Sequence, residues 1–204
     1  MLSTLFPATR PLYRLVRCIA GLVLFGSGIS LMLASELGGS PWDVFHTGVS
    51  DLFDIGVGTV IVITGVVLLL VWIPLRERPG VGTILNAVLV GVFVDLTQPL
   101  MPDSQLLLVR WPLLGGGILA IAIGSGFYIG SGLGPGPRDG IMTGLAKRSI
   151  AGRPISVRAA RTAIEIAVTA AGVMLGGAIG LGTAAFALSI GPLVQVFLPR
   201  LTVG

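Results

Sequence analysis

Two carboxylate–hydroxyl pairs are the residues in this sequence whose types and spacing could do chemistry. Asp43 and Thr47 stand four apart, as do Asp139 and Thr143, inside one repeated pattern, Leu-Gly-x-x-Pro-x-Asp-x-x-x-Thr-Gly. It runs from Leu37 to Gly48 and again from Leu133 to Gly144. A spacing of four puts both members of a pair on one helix face. There they could line a solute pathway, or they could simply stabilise a helix start and bond its backbone. The local grammar is that of a helix start: Ser40 or Gly136 as N-cap, Pro41 or Pro137 first, Asp43 or Asp139 third. Ser40 and Asp43 also have the spacing of a capping box. In the first copy Phe45, Val49, Leu52 and Phe53 form an apolar side, and Asp43, Thr47, Ser50 and Asp54 a polar one, so the segment Pro41–Phe53 reads as an amphipathic helix. Such an element either lies flat at the membrane interface or dips back into the membrane, which requires protein or a wet cavity around it. Positive helix ends favour an anion and the two carboxylates a cation or proton, so these preferences oppose each other and leave a solute's charge open.

Other polar residues fall inside apolar runs. Asp95 and Asn86 share one run, and an intramembrane carboxylate is a functional candidate by default. Asp95, however, sits near the end of its run, where it reaches water, and Asn86 suits a hydrogen bond between helices. Arg161 and Glu165 are four apart and are expected to pair near one membrane face. His46 is the sole histidine and Cys18 the sole cysteine, which is too little for a metal site, and no cofactor motif is present. No His-Glu-x-x-His, nucleophile elbow or phosphate-loop lysine occurs, so no enzyme chemistry is expected.

The elements that must position these residues are membrane helices. Of the 204 residues 53% are hydrophobic and only 11% charged, against about a quarter charged in soluble domains. The net charge of +4 does not indicate nucleic acid, because the bases are not interleaved with aromatics on one face. Apolar runs long enough to cross a bilayer occur at Cys18–Ser35, Gly56–Ile73, Val81–Leu100, Leu113–Ser131, Ala160–Gly177 and Gly180–Leu198. Six spans put Arg10, Arg14, Arg17, Arg76, Arg78 and the basic stretch from Arg138 to Arg158 on one side, which is then cytoplasmic, with both termini. Eight spans would require the 13-residue segment Pro41–Phe53 to cross, and would set Arg76 and Arg78 against that rule.

The first motif recurs at an offset of 96. Farther on, Gly80, Gly82, Thr83, Ala87, Gly91, Val94 and Pro99 recur at an offset of 100. A three-span unit followed by its copy places the copy upside down, so the fold expected is all-α, two inverted three-helix repeats each carrying a short amphipathic or re-entrant helix. The corresponding organisation is a cytoplasmic segment 1–17, a first repeat 18–100, a linker 101–112, a second repeat 113–198 and a tail 199–204.

The runs Glu36-Leu37-Gly38-Gly39-Ser40-Pro41-Trp42-Asp43 and Gly132-Leu133-Gly134-Pro135-Gly136-Pro137-Arg138-Asp139-Gly140, within the six-span pattern, resemble the YczE/YyaS/YitT group of bacterial integral membrane proteins, closest to its YczE branch. The resemblance covers about Arg17 to Leu198. It implies a protein of the bacterial cytoplasmic membrane and carries no settled activity; the soluble C-terminal domain borne by YitT-like relatives is not expected after Gly204. Two functions fit: a small-solute transporter or channel with Asp43, Thr47, Asp139 and Thr143 on the pathway, or a membrane-embedded assembly or regulatory protein whose basic cytoplasmic loop docks a partner.

Overall fold

The structure, a computed structural model, describes residues 9–147, 149–150, 153–154 and 156–204. Its helices are α1 (Pro11–Ala34), α2 (Pro41–Phe53), α3 (Val57–Leu75), α4 (Val81–Thr97, prolonged by the 3-10 turn Gln98–Leu100), α5 (Leu107–Gly130), α6 (Pro137–Ala146), α7 (Val157–Met174) and α8 (Leu181–Leu201). A short hairpin of β1 (Ser149–Ile150) and β2 (Arg153–Pro154) separates α6 from α7. Helix α1 thus starts seven residues before the expected first span, α5 starts inside the expected linker, and α8 runs into the expected tail.

Five helices, α1, α3, α4 with its 3-10 turn, α5 and α8, are long and apolar enough to cross a membrane. Helix α7 covers most of the fifth expected span but carries Arg158, Arg161 and Glu165 within 18 residues and is not among them. Large apolar side chains stand outside, among them Leu70, Leu108, Met174 and Leu188. In water that surface would drive aggregation; in lipid it is the natural exterior.

What holds the helices together is close approach. Helices α1 and α5 run antiparallel. A methyl group on Gly21 would lie 2.7 Å from the Gly124 carbonyl oxygen, and one on Gly28 would lie 2.9 Å from that of Gly117. At such crossings backbones touch, and van der Waals packing replaces the hydrophobic drive that lipid removes. Gly21 matches Gly117 and Gly28 matches Gly124 at the offset of 96, so the contact is reciprocal.

A second reciprocal contact ties each motif to the opposite half. The Leu37 carbonyl accepts from Gly182 N–H (2.6 Å), and the Leu133 carbonyl from Gly82 N–H (2.8 Å). Both crossings turn on a left-handed glycine, Gly38 (φ +108°) and Gly134 (φ +123°). A Cβ at Gly38 would sit 2.8 Å from Thr183 Oγ1, and one at Gly134 2.6 Å from Thr83 Oγ1. Conformation and space both demand glycine there.

The halves differ where their last two helices meet. In the first, α3 packs tightly on α4: Gly58 abuts Gly91, and a methyl on Gly65 would be 2.9 Å from the Ala87 carbonyl oxygen. Aligning Val57 with Val157 puts Arg158, Arg161 and Glu165 where α3 has Gly58, Ile61 and Gly65. Helix α7 accordingly leans on α2 and α6 and makes little contact with α8. Gly191, the counterpart of Gly91, has no atom near its missing side chain.

Candidate functional site

The two motif helices begin at one place. Helix α2 starts with the capping box expected from the sequence: Ser40 Oγ accepts from Asp43 N–H (3.3 Å), and Asp43 Oδ2 accepts from Ser40 N–H (2.8 Å). Helix α6 starts at Gly136, which has no side chain to offer. There Asp139 accepts through Oδ2 from the Tyr128 hydroxyl of α5 (3.2 Å). Both carboxylates are thereby hydrogen-bonded.

Between these starts lies a cavity of about 310 Å3. Ser40, Pro41, Trp42 and His46 of α2 face Gly136, Pro137, Arg138 and Asp139 of α6 across it. Arg161 and Glu165 of α7, Asn86 of α4, Tyr128 of α5 and Gln195 of α8 complete its polar lining, and Ile61, Val90, Ile121, Phe186 and Ile190 belong to its apolar wall. A polar cavity inside a bundle whose exterior is apolar is the arrangement that lets irregular backbone and half-helices persist at membrane depth.

Arg138 is its most telling group. The guanidinium carbon lies 4.8 Å from the centroid of the Trp42 indole, while among the described residues no carboxylate comes within ion-pair distance and no acceptor takes its hydrogen bonds. A cation over an indole is worth about 0.5–2 kcal/mol, whereas an unpaired charge in a protein interior costs several kcal/mol. Stacking alone therefore does not hold this charge; the nearby carboxylates of Asp43, Asp139 and Glu165 supply the rest at longer range. Arg161 is different, since its Nε donates to Glu165 Oε1 at 2.9 Å, the i,i+4 pair expected from the sequence.

The remaining candidates divide. Asp43 sits in the wall between the main cavity and a second cleft of about 240 Å3, lined with Glu36, Thr47 and Asp51. Its Oδ1 is buried without a partner among the described residues. Asp43 and Thr47 do share a face, but the Thr47 hydroxyl donates to the Asp43 carbonyl (2.9 Å). Thr143 donates likewise to Gly140 (3.1 Å) and is exposed away from the main cavity. Asn86 lines the cavity and makes no hydrogen bond to described residues, where a helix-packing bond was expected. Asp95 lies outside the cavity and caps α3, accepting from Gly58 N–H (2.7 Å) and Thr59 Oγ1 (3.0 Å). Of the polar side of α2, Asp43 and Ser50 are buried along with His46, Thr47 is half-buried and Asp54 exposed, and Leu52 and Phe53 of the apolar side are exposed too.

Trp42, His46, Tyr128 and Arg138 entered the sequence reading only as family-motif residues, as a poor metal ligand, as nothing, and as a cytoplasmic base. The available signal was at motif position six, where the two copies carry Trp42 and Arg138, the one internal position that pairs an aromatic with a cation. Arg138 is no surface base: it lines the cavity. Of the rest of that basic stretch, Lys147 pairs with Glu77 (2.6 Å), and Arg148 lies outside the described residues, as do the side chains of Ser149–Pro154.

A helical bundle with an apolar exterior and several helices long and apolar enough to cross a membrane defines a polytopic integral membrane protein. The chain belongs to a family of unknown function, DUF6198, whose pattern matches residues 12–199. It is 38% identical over 179 residues to an uncharacterized protein of Haemophilus influenzae, covering 87% of this chain and 79% of that one. It is 32% identical over 183 residues to the uncharacterized membrane protein YczE of Bacillus subtilis (89% and 83%). It is 28% identical over 186 residues to the uncharacterized protein YyaS of the same organism (88% and 89%). No solved structure matches the chain.

Proposed function

We propose that this protein is a transporter or channel for a small solute in the bacterial cytoplasmic membrane, built from two inverted three-helix repeats around the cavity between α2 and α6. The observation that carries the reading is the cavity itself, in which the starts of two copies of one motif face each other with Arg138, Asp139, Arg161 and Glu165 around a volume of about 310 Å3. Transporters of this architecture place their sites at the repeat interface, where half-helix ends converge.

Three contacts support the inverted relation: the antiparallel crossing of α1 and α5, the exchanged bonds of Leu37 with Gly182 and Leu133 with Gly82, and the meeting of Trp42 with Arg138. Six crossings are supported by the termini. Arg14 donates to the Gly204 carbonyl (3.2 Å), so the start of α1 and the end of α8 share one face of the bundle, and an even number of crossings follows only if α7 also traverses. The arginines at that face make it the cytoplasmic one.

The test is flux in proteoliposomes with the cavity filled from α8 by Ile190→Trp. The expected result is loss of solute flux with normal membrane insertion. Flux that persists at the original rate through the filled cavity overturns the reading. If the unaltered protein carries nothing, and reversing Lys147 and Arg158 removes a bound partner in pull-down, the assembly or regulatory role takes its place.

A further inference from the structure

We infer that the cavity receives a small organic monocarboxylate, its acid group on the guanidinium of Arg138 and its apolar body against Val90, Phe186 and Ile190. The inference deepens the transport reading by naming the ligand class.

It rests on which charges are already satisfied. Among the residues lining the cavity, Asp139 is bound by the Tyr128 hydroxyl, and Arg161 and Glu165 hold each other. Asp43, in the wall behind, is bound at Oδ2 by the Ser40 amide. That leaves Arg138 as the cavity's cation without a hydrogen-bonded or ion-paired protein partner among the described residues. Its guanidinium carbon lies 4.8 Å from the centroid of the Trp42 ring. A carboxylate matches the N–H fork of a guanidinium in both spacing and planarity.

One further feature points the same way. His46, fully buried and part of the same lining, has no partner for either ring nitrogen among the described residues, so a ring N–H is available beside the arginine. One cation without an ion-paired partner, with carboxylates already at longer range around it, suits a monoanion better than a doubly charged phosphate, and the aliphatic and aromatic wall suits a body without further charge. A volume of about 310 Å3 admits a molecule the size of benzoate or hexanoate.

The experiment is thermal unfolding of the purified full chain in lipid nanodiscs at constant ionic strength, titrated with benzoate, hexanoate, benzamide, hexylamine and inorganic phosphate. Benzoate and hexanoate are expected to raise the midpoint saturably, with benzamide and hexylamine inert and phosphate needing concentrations higher by about tenfold or more. Arg138→Lys, which keeps the charge but loses the fork, should weaken the acids by about tenfold. Lys147→Arg, at the Lys147–Glu77 pair outside the cavity, should leave them within about twofold. No shift with either acid, an equal shift with benzamide, or unchanged titration in Arg138→Lys overturns the inference. Failure of this inference is separable from failure of the transport reading: acids that bind but never cross a proteoliposome membrane count against transport alone, and flux of hexylamine without acid binding counts against the monocarboxylate alone.

Discussion

Trp42 and Arg138 touch, guanidinium over indole at 4.8 Å, and they occupy the same position in two copies of one motif, 96 residues apart. If the two copies are related by a two-fold axis, as proposed above, corresponding residues can meet only close to it; the cavity beside this pair is lined from both halves of the chain.

That relation makes an exchange testable. Trp42→Arg alone sets two guanidinium groups face to face, and Arg138→Trp alone removes the charge that Asp43 and Asp139 stabilise. Each should lower stability by about 2 kcal/mol or more. The double exchange rebuilds the stack in reverse order and should restore most of the loss, read as thermal stability in detergent. Additive loss in the double variant would show that the pair is not near a two-fold position.

Asp95 and the cavity should separate cleanly. Asp95→Ala removes the acceptor for Gly58 N–H and Thr59 Oγ1 at the start of α3, whose own N-cap, Gly56, offers no side chain. A loss of about 1–2 kcal/mol is expected from a missing cap. Flux per folded molecule should stay unchanged, because the residue lies outside the cavity. Reduced flux at full folding would assign Asp95 to the pathway instead.

Thiol labelling reads the placement of the two threonines. With Cys18 replaced by Ala, Thr47→Cys in the second cleft and Thr143→Cys on exposed α6 should react with a membrane-impermeant reagent from opposite sides, 47 from outside and 143 from the cytoplasm. Cys18 itself, fully buried in α1, should stay unlabelled in the unaltered protein. Reaction of both positions from one side would remove the inverted arrangement.

Gly134→Ala tests the crossing of the second motif over α4. At φ +123° a Cβ is strained, and it would meet Thr83 Oγ1 at 2.6 Å. The cost should exceed the roughly 1 kcal/mol of an ordinary left-handed glycine substitution. Pairing it with Thr83→Ser, which keeps the hydroxyl, should not relieve the clash, whereas Thr83→Gly should relieve part of it. Melting temperatures of the three variants decide.

Much of this protein was legible residue by residue. The membrane class followed from composition, because lipid inverts the usual demand for a charged exterior. The bounds of α2 at Pro41 and Phe53, its capping box, and the Arg161–Glu165 pair followed from spacings of three or four residues, because a helix makes such neighbours wherever it forms. The repeat was visible as identities at offsets of 96 and 100, and the reciprocal contacts of Gly38 and Gly134 occur at those matched positions.

What only the tertiary structure decided are contacts between residues far apart in the chain. Helix periodicity says which side of α4 bears Asp95, but not that α3 starts within its reach; it says that Asn86 is on an apolar helix, but not that no partner helix comes to bond it. Sequence placed Arg138 among cytoplasmic bases because charge counts ignore depth, and the crossing of Gly134 over α4 is what turns the start of α6 inward. The divergence of α7 from α3 has the same cause. Arg158, Arg161 and Glu165 stand in one half where Gly58, Ile61 and Gly65 stand in the other, and close packing of helices tolerates glycine at a crossing but not a long charged side chain.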